Sequence, residues 1–378
     1  MTKKTVSYVI SPNNLLGFGC LEDALEIIRA LKVQKTLIVT DTFLVESGLI
    51  KSLFTMLDQA KVFYVLYDQV QPNPTARNVE QGLQVYQSNG CSLIISFGGG
   101  SAHDCAKGIA LMATHPGSIK DYEGNDRLKN STAPLITVNT TAGTGSEVTK
   151  FCIITDEERK VKMAISDWRL TPILSVNDAA LMMNLPPLLT AATGLDAMTH
   201  AIESFLSTQS NNLTESWSLE AIRLIKENLP AAVHGKPDAQ VREKMAYAAF
   251  MAGVAFNNAG LGYVHALAHQ LGGFYNLPHG ICNAVLLPTI VSFCQPAAPE
   301  KFERLALELG VSSGIQVPPF LRDFAKSLGI PSGLRELNGF RQEDIPILAE
   351  HAAHDICGMT SPRQATLGEL MELLHEAI

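Results

Sequence analysis

The sequence predicts a two-part chain, an α/β region with a mostly parallel sheet followed by an all-helical region. Three observations predict it. Short apolar runs alternate with helical patterns up to about residue 185. Strand signals then stop at the Pro186–Pro187 pair, a backbone break. One buried run also passes through consecutive glycines into a helix, the layout of a strand–loop–helix ligand site. The 378-residue length exceeds what one simple core usually fills, so two domains are expected, 1–185 and 186–378.

In order, the expected strands are "TLIVTD" (36–41), "VFYVLYD" (62–68), "SLIISFGGG" (92–100), "PLITVNTT" (134–141) and "ILSVND" (173–178). They are rich in Ile, Val and Leu, and most end in Asp, Gly or Thr, as strands buried on both faces do. Helical patterns at 21–31, 76–89 and 101–113 alternate with them, the first preceding the strand at 36–41. After residue 185 the helical patterns fall at about 190–207, 214–229, 239–257, 263–275, 281–294, 299–309, 316–328, 342–356 and 366–377.

The composition is that of an ordinary globular protein, 46% hydrophobic and 17% charged, with a net charge of −8. No Lys/Arg block exists, which argues against nucleic-acid or anionic-membrane partners. The seven cysteines are scattered and form no C-x-x-C pair, so neither a disulfide framework nor a zinc knuckle is expected and a cytoplasmic location fits. Neither a signal peptide nor an apolar stretch of membrane-spanning length is read from the sequence.

"SLIISFGGGSAHDCAKGIAL" reads as strand, glycine loop and helix. Gly98, Gly99 and Gly100 let backbone approach a ligand, and Ser101 is expected to cap the helix. Free N–H groups at that helix end suit a pyrophosphate; the plainer alternative is a tight turn that binds nothing. "GFGCLE", with Gly17 and Gly19, has Glu22 at the third glycine position and precedes a strand, so it is read as a turn. Asp41 ends a strand, where an acidic residue accepts from a ribose hydroxyl or merely caps the next segment. "NTTAGTGSE" gathers Thr140, Thr141, Thr144 and Ser146 at another strand end, suited to phosphate or ribose oxygens or to a Thr-rich turn.

"LTAATGLDAMTHAIESF" places Asp196 and His200 at i and i+4, on one face of an apolar helix. A buried Asp is costly unless paired or bound to a metal. Glu203 falls one turn further, behind the pair or on the surface. "GLGYVHALAHQLGGFYNLPHG" adds His265 and His269, again at i and i+4, and His279 after a turn. Asp196, His200 and two of these three histidines make four N/O donors. Without a thiolate, the expected ion is Fe²⁺ or Zn²⁺, with Mn²⁺ and Ni²⁺ also suited.

With these motifs, and with "NTTAGTGSEVTKFCIITDE" and "KVKMAI", the chain resembles the iron-containing (group III) alcohol dehydrogenases from about residue 6 to the end. It is most similar to their NAD-dependent methanol, 1,3-propanediol and ethanol dehydrogenase group. The resemblance implies a dehydroquinate synthase-like architecture, NAD and one divalent cation, and interconversion of a small alcohol and its aldehyde by hydride transfer. It also implies a homodimer or larger homo-oligomer. Asp196, His200, His265 and His279 are the implied metal ligands, and His269 an implied proton relay or orienting group at the substrate. Gly98, Gly99, Gly100, Ser101, Asp104, Thr140, Thr141, Thr144, Lys162, Asp41 and Asn73 are the implied cofactor contacts, with Asp41 favouring NAD over NADP. Phe151, Phe256, Leu261 and Cys357 are the implied substrate pocket. The chain departs from its relatives at Ser361-Pro362-Arg363, where many read Asn-Pro-Arg, and at Phe151, where some read Asn. A lyase of the same fold with bound NAD would want several Lys or Arg in the pocket, and the histidine motif offers none. A metal-dependent hydrolase would leave the glycine and hydroxyl loops without a task.

Overall fold

A computed structural model describes residues 5–159 and 161–378. Lys160, which opens the "KVKMAI" motif, and the first four residues of the leader reading lie outside them. The strands are β1 (Asn14–Gly17), β2 (Lys35–Val39), β3 (Phe63–Tyr67), β4 (Leu93–Gly98), β5 (Gly124–Asn125), β6 (Leu135–Asn139), β7 (Phe151–Asp156), β8 (Val161–Ser166) and β9 (Leu174–Asp178). A parallel sheet has the order β1-β9-β6-β4-β2-β3, and β5, β8 and β7 form a small second sheet. All five sequence-predicted strands lie in the large sheet, and β4 and β6 are buried along their whole length.

The helices of this half are α1 (Ala24–Ala30), α2 (Thr42–Glu46), α3 (Lys51–Ala60), α4 (Ala76–Ser88) and α5 (Gly100–Met112). The chain runs outward from β2 to β3 on one side and from β4 through β6 to β9 on the other. The strand order therefore reverses between β2 and β4, and a doubly wound sheet binds ligands beyond the strand ends at such a point. Asp41 and the glycine loop both lie there.

Everything after β9 is helix or turn: α6 (Pro187–Leu206), α7 (Asn212–His234), α8 (Ala239–Ala259), α9 (Tyr263–Tyr275), α10 (His279–Cys294), α11 (Pro299–Leu309), α12 (Val317–Ser327), α13 (Ile345–Ala353) and α14 (Leu367–Glu376), with short 3-10 turns. Each predicted helical pattern has its helix. Pro187 is the first residue of α6, where its missing N–H and fixed φ cost nothing. These helices share one large apolar core.

Two readings need correction. "GFG" does follow a strand, the edge strand β1, too short to stand out in the sequence. It is still no phosphate loop, because Gly19 N and Leu21 N already donate to the Asp178 carboxylate, at 2.7 and 3.1 Å. The second concerns membrane-spanning length. The 19-residue helical stretch His279–Ala297 meets it by length and hydropathy. It is a core helix here, 67% buried and packed against α6, α9 and α12.

Candidate active site

Three helices bring four donor atoms together. α6 carries Asp196 and His200, α9 carries His265, and α10 begins at His279. Asp196 Oδ1 lies 3.7 Å from His279 Nε2, 3.9 Å from His265 Nε2 and 4.0 Å from His200 Nε2. Donors bonded at about 2.1 Å around a tetrahedral ion stand about 3.4 Å apart, so small side-chain shifts close this cage on a cation. Gly280 makes the convergence possible: a Cβ there would meet Ala192 O of α6 at 2.3 Å. Burial lowers His200 to about 4 and His265 to about 3, and holds His279 well below its ordinary value. Burial thus disfavours the charged form of all three imidazoles, and metal ligation requires the neutral form. A buried carboxylate ringed by neutral imidazoles fits a divalent cation.

Side chains behind the cage orient it. Glu203 Oε2 accepts from His265 Nδ1 at 2.5 Å, and its Oε1 accepts from Val264 N at 2.8 Å. Glu203 is thus buried behind the pair and not on the surface, and burial pushes its carboxyl up to about 7 against the Val264 N–H. The Phe256 ring stacks on His200, centroids 4.3 Å apart. Asn283, one turn after His279, donates its Nδ2 to Asp196 Oδ1 at 2.7 Å. Sequence reasoning missed Asn283, although its spacing from His279 was a signal.

His269 stands apart from the four. Its Nδ1 is 2.8 Å from Asp355 Oδ2, and the ring lines the same cavity as the cage. Asp355 is held in turn by Cys357 N, at 2.9 Å. Burial works to raise the Asp355 carboxyl, but the His269 ring and these hydrogen bonds outweigh it and hold it low. No sequence signal marked Asp355, which lies in an irregular segment. Cys357 also comes close to this pair. Burial raises its thiol far above the ordinary value, which disfavours a free thiolate there.

Of the cofactor candidates, Asn73, Gly100, Ser101, Asp104, Thr144 and Lys162 line the same cavity, about 540 Å³ in volume, whereas Gly98, Gly99, Thr140 and Thr141 lie outside its lining. Gly98 has φ +153°, and a Cβ there would meet Ala102 Cβ at 2.8 Å. Gly99 and Gly100 pass under Thr141 and Thr144, where Cβ atoms would meet those side chains at 2.9 and 2.8 Å. The cap of α5 is Gly99, not Ser101, which is one residue inside the helix; no side chain caps this end. The open N–H groups and the helix dipole fit a pyrophosphate. Thr140 is buried, its N–H bonded to Gly98 O. Asp104 accepts from Ser146 Oγ at 2.6 Å, tying α5 to the hydroxyl loop. Lys162, on β8, donates to Asn73 Oδ1 at 2.8 Å, and burial lowers its ammonium. Asp41 caps α2 through Leu44 N at 2.9 Å, outside the cavity lining but beside the glycine loop.

Phe151, Phe256, Leu261 and Cys357 all line the cavity, with the two phenylalanine rings stacked 6.0 Å apart. Of the two departures from the resemblance, Phe151 faces the cavity. Ser361 is buried beside Cys294, outside the lining, and Arg363 stacks on Phe293 and pairs with Glu369.

Residues 11–179 match the family described as iron-containing alcohol dehydrogenase, and residues 190–378 match its C-terminal domain. The chain is 46% identical to alcohol dehydrogenase 4 of Saccharomyces cerevisiae over 374 residues, 98% of each chain. It is 39% identical to the NAD-dependent methanol dehydrogenase of Bacillus methanolicus over 380 residues, 98% of this chain and 100% of that one. The solved structure of a 1,3-propanediol oxidoreductase superposes with a TM-score of 0.96 at 41% identity, covering 99% of this chain and 100% of the other. The chain belongs to the iron-containing alcohol dehydrogenase family.

Proposed function

We propose that this protein is a metal-dependent, NAD-linked oxidoreductase that interconverts a small primary alcohol and its aldehyde, working often in the aldehyde-reducing direction. The observation that carries the reading is one cavity shared by the histidine–aspartate cage and the start of the glycine-loop helix. Residues 1–185 form the cofactor domain and residues 186–378 the metal and substrate domain.

Asp196, His200, His265 and His279 would hold the cation, with Fe²⁺ preferred and Zn²⁺, Mn²⁺ or Ni²⁺ accepted. A cation held there would supply Lewis-acid polarisation of the substrate oxygen, and NAD(H) would supply or accept the hydride. Gly98, Gly99, Gly100 and Ser101 receive the pyrophosphate, with Asp104 bracing the loop. Thr140, Thr141 and Thr144 form the second loop, Lys162 would contact the cofactor ribose, and Asn73, bonded to Lys162, is another cofactor contact. Asp41, at the switch point, repels the extra phosphate of NADP.

Asp355 fixes the proton of His269 on Nδ1, so Nε2 is the atom that takes and returns the substrate proton. Phe151, Phe256, Leu261 and Cys357 keep water from the reacting carbon and admit a small, largely apolar substrate. The protein is cytoplasmic, a reading that rests on its composition and its free cysteines. It assembles as a homodimer or larger homo-oligomer, as the resemblance implies.

The test is NADH oxidation over a panel of small aldehydes, repeated with Fe²⁺, Zn²⁺, Mn²⁺ and Ni²⁺. Metal-dependent loss of NADH absorbance is expected. No change with any aldehyde or alcohol would contradict the proposal and favour a hydrolase.

A further inference from the structure

Asn276 follows α9 and precedes His279, in the turn between two of the histidine-bearing helices. Its Oδ1 accepts from Asn73 Nδ2 at 2.7 Å, and Asn73 Oδ1 accepts from Lys162 Nζ at 2.8 Å. Lys162, Asn73 and Asn276 thus form a three-member polar chain from the small sheet to the histidine turn. Both asparagines are left-handed, with φ 56° at Asn73 and 53° at Asn276. Asn tolerates that region better than most residues. The loop before α4 is pinned to β7 by Thr155 N donating to Pro74 O at 2.8 Å. Opposite, Gly272 of α9 leaves room for the Lys162 ammonium, which a Cβ there would meet at 2.8 Å. Without Asn276, the Asn73 amide loses the partner that sets its orientation, and the Lys162 ammonium loses a fixed acceptor.

We propose that Asn276 is a positioning residue for the cofactor: it holds the Asn73 and Lys162 side chains in the orientation that receives the cofactor, and so couples cofactor binding to the turn that carries His279. This rests on the reading that Asn73 and Lys162 contact the cofactor. The acceptor oxygen is what matters. Asn276→Gly keeps the left-handed backbone and deletes the amide, whereas Asn276→Asp keeps an acceptor for Asn73 Nδ2.

The experiment titrates NADH fluorescence against the full-length protein loaded with Zn²⁺, for the parent, Asn276→Gly, Asn276→Asp and Lys162→Ala, with bound zinc measured in each. Loss of one hydrogen bond predicts an NADH Kd raised about fivefold in Asn276→Gly, with zinc content unchanged and Asn276→Asp within about twofold of the parent. Lys162→Ala is expected to weaken NADH at least as much. If Lys162→Ala weakens NADH and Asn276→Gly does not, this inference falls and the cofactor reading stands. If neither weakens it, both fall. Equal weakening by the Gly and Asp variants, or loss of zinc in Asn276→Gly, would make the residue a support of the turn only and would overturn the inference.

Discussion

Glu203 Oε2 and His265 Nδ1 lie 2.5 Å apart, joining the end of α6 to the first turn of α9. With Nδ1 committed to a carboxylate, His265 presents Nε2 to the cage in one tautomer and one orientation. Such a partner typically contributes 10- to 100-fold to metal affinity. Glu203→Gln is therefore expected to weaken Zn²⁺ by about that factor in a chelator competition, with the fold intact by circular dichroism. Unchanged affinity would mean the contact only packs the helices.

Asp355 stands to His269 as Glu203 does to His265, but on the substrate side. An amide there can donate to Nδ1 and move the ring proton to Nε2. Asp355→Asn is expected to lower kcat about 10- to 100-fold with metal content unchanged. A loss of metal, or an unchanged kcat, would contradict the separation of the two roles.

Asp41 combines a capping bond to Leu44 N with a charge beside the glycine loop. Asp41→Asn keeps a capping oxygen and removes the charge. The ratio of kcat/KM for NADH over NADPH is expected to fall about tenfold, with little change in Tm. A fall in Tm without a change in the ratio would leave only the cap.

Asp156 closes the hairpin that carries Lys162, pairing with Arg159 Nε at 2.7 Å and Lys120 Nζ at 3.0 Å. Burial alone would raise its carboxyl, but these partners outweigh burial and lower it to about 2. A depressed carboxylate contributes stability above its unfolded value of about 3.9, and the contribution disappears as pH falls through the folded value. Asp156→Asn is expected to cost about 1–2 kcal/mol in urea unfolding at pH 7, with the gap to the parent closing between about pH 4 and pH 2. A gap independent of pH would show that packing, not charge, is lost.

The large sheet was legible because its inner strands are unbroken apolar runs, as β4 and β6 illustrate. The β7–β8 hairpin was not read as strands. Its runs carry Cys152, Thr155 and Lys162 among the apolar residues, and it sits outside the main sheet. Asp196 and His200 could be placed on one helix face by spacing. The same rule pairs His265 with His269, whereas the fold sends His269 to Asp355 and brings His279 to Asp196. Only the family resemblance separated them in the sequence, because the turn that delivers His279 has no periodicity to read. Asp355 and Asn276 act through partners far away in the chain, so neither left a local signal.

The central claim is that the histidines of one short stretch divide their work: His265 and His279 hold the cation with Asp196 and His200, and His269 serves the substrate. Metal content of purified His265→Ala and His269→Ala, measured beside their aldehyde-reduction rates, tests it most directly. The account predicts that His265→Ala loses metal and activity together, while His269→Ala keeps its metal and loses about 10²-fold or less in kcat. Equal loss of metal from both variants would contradict it.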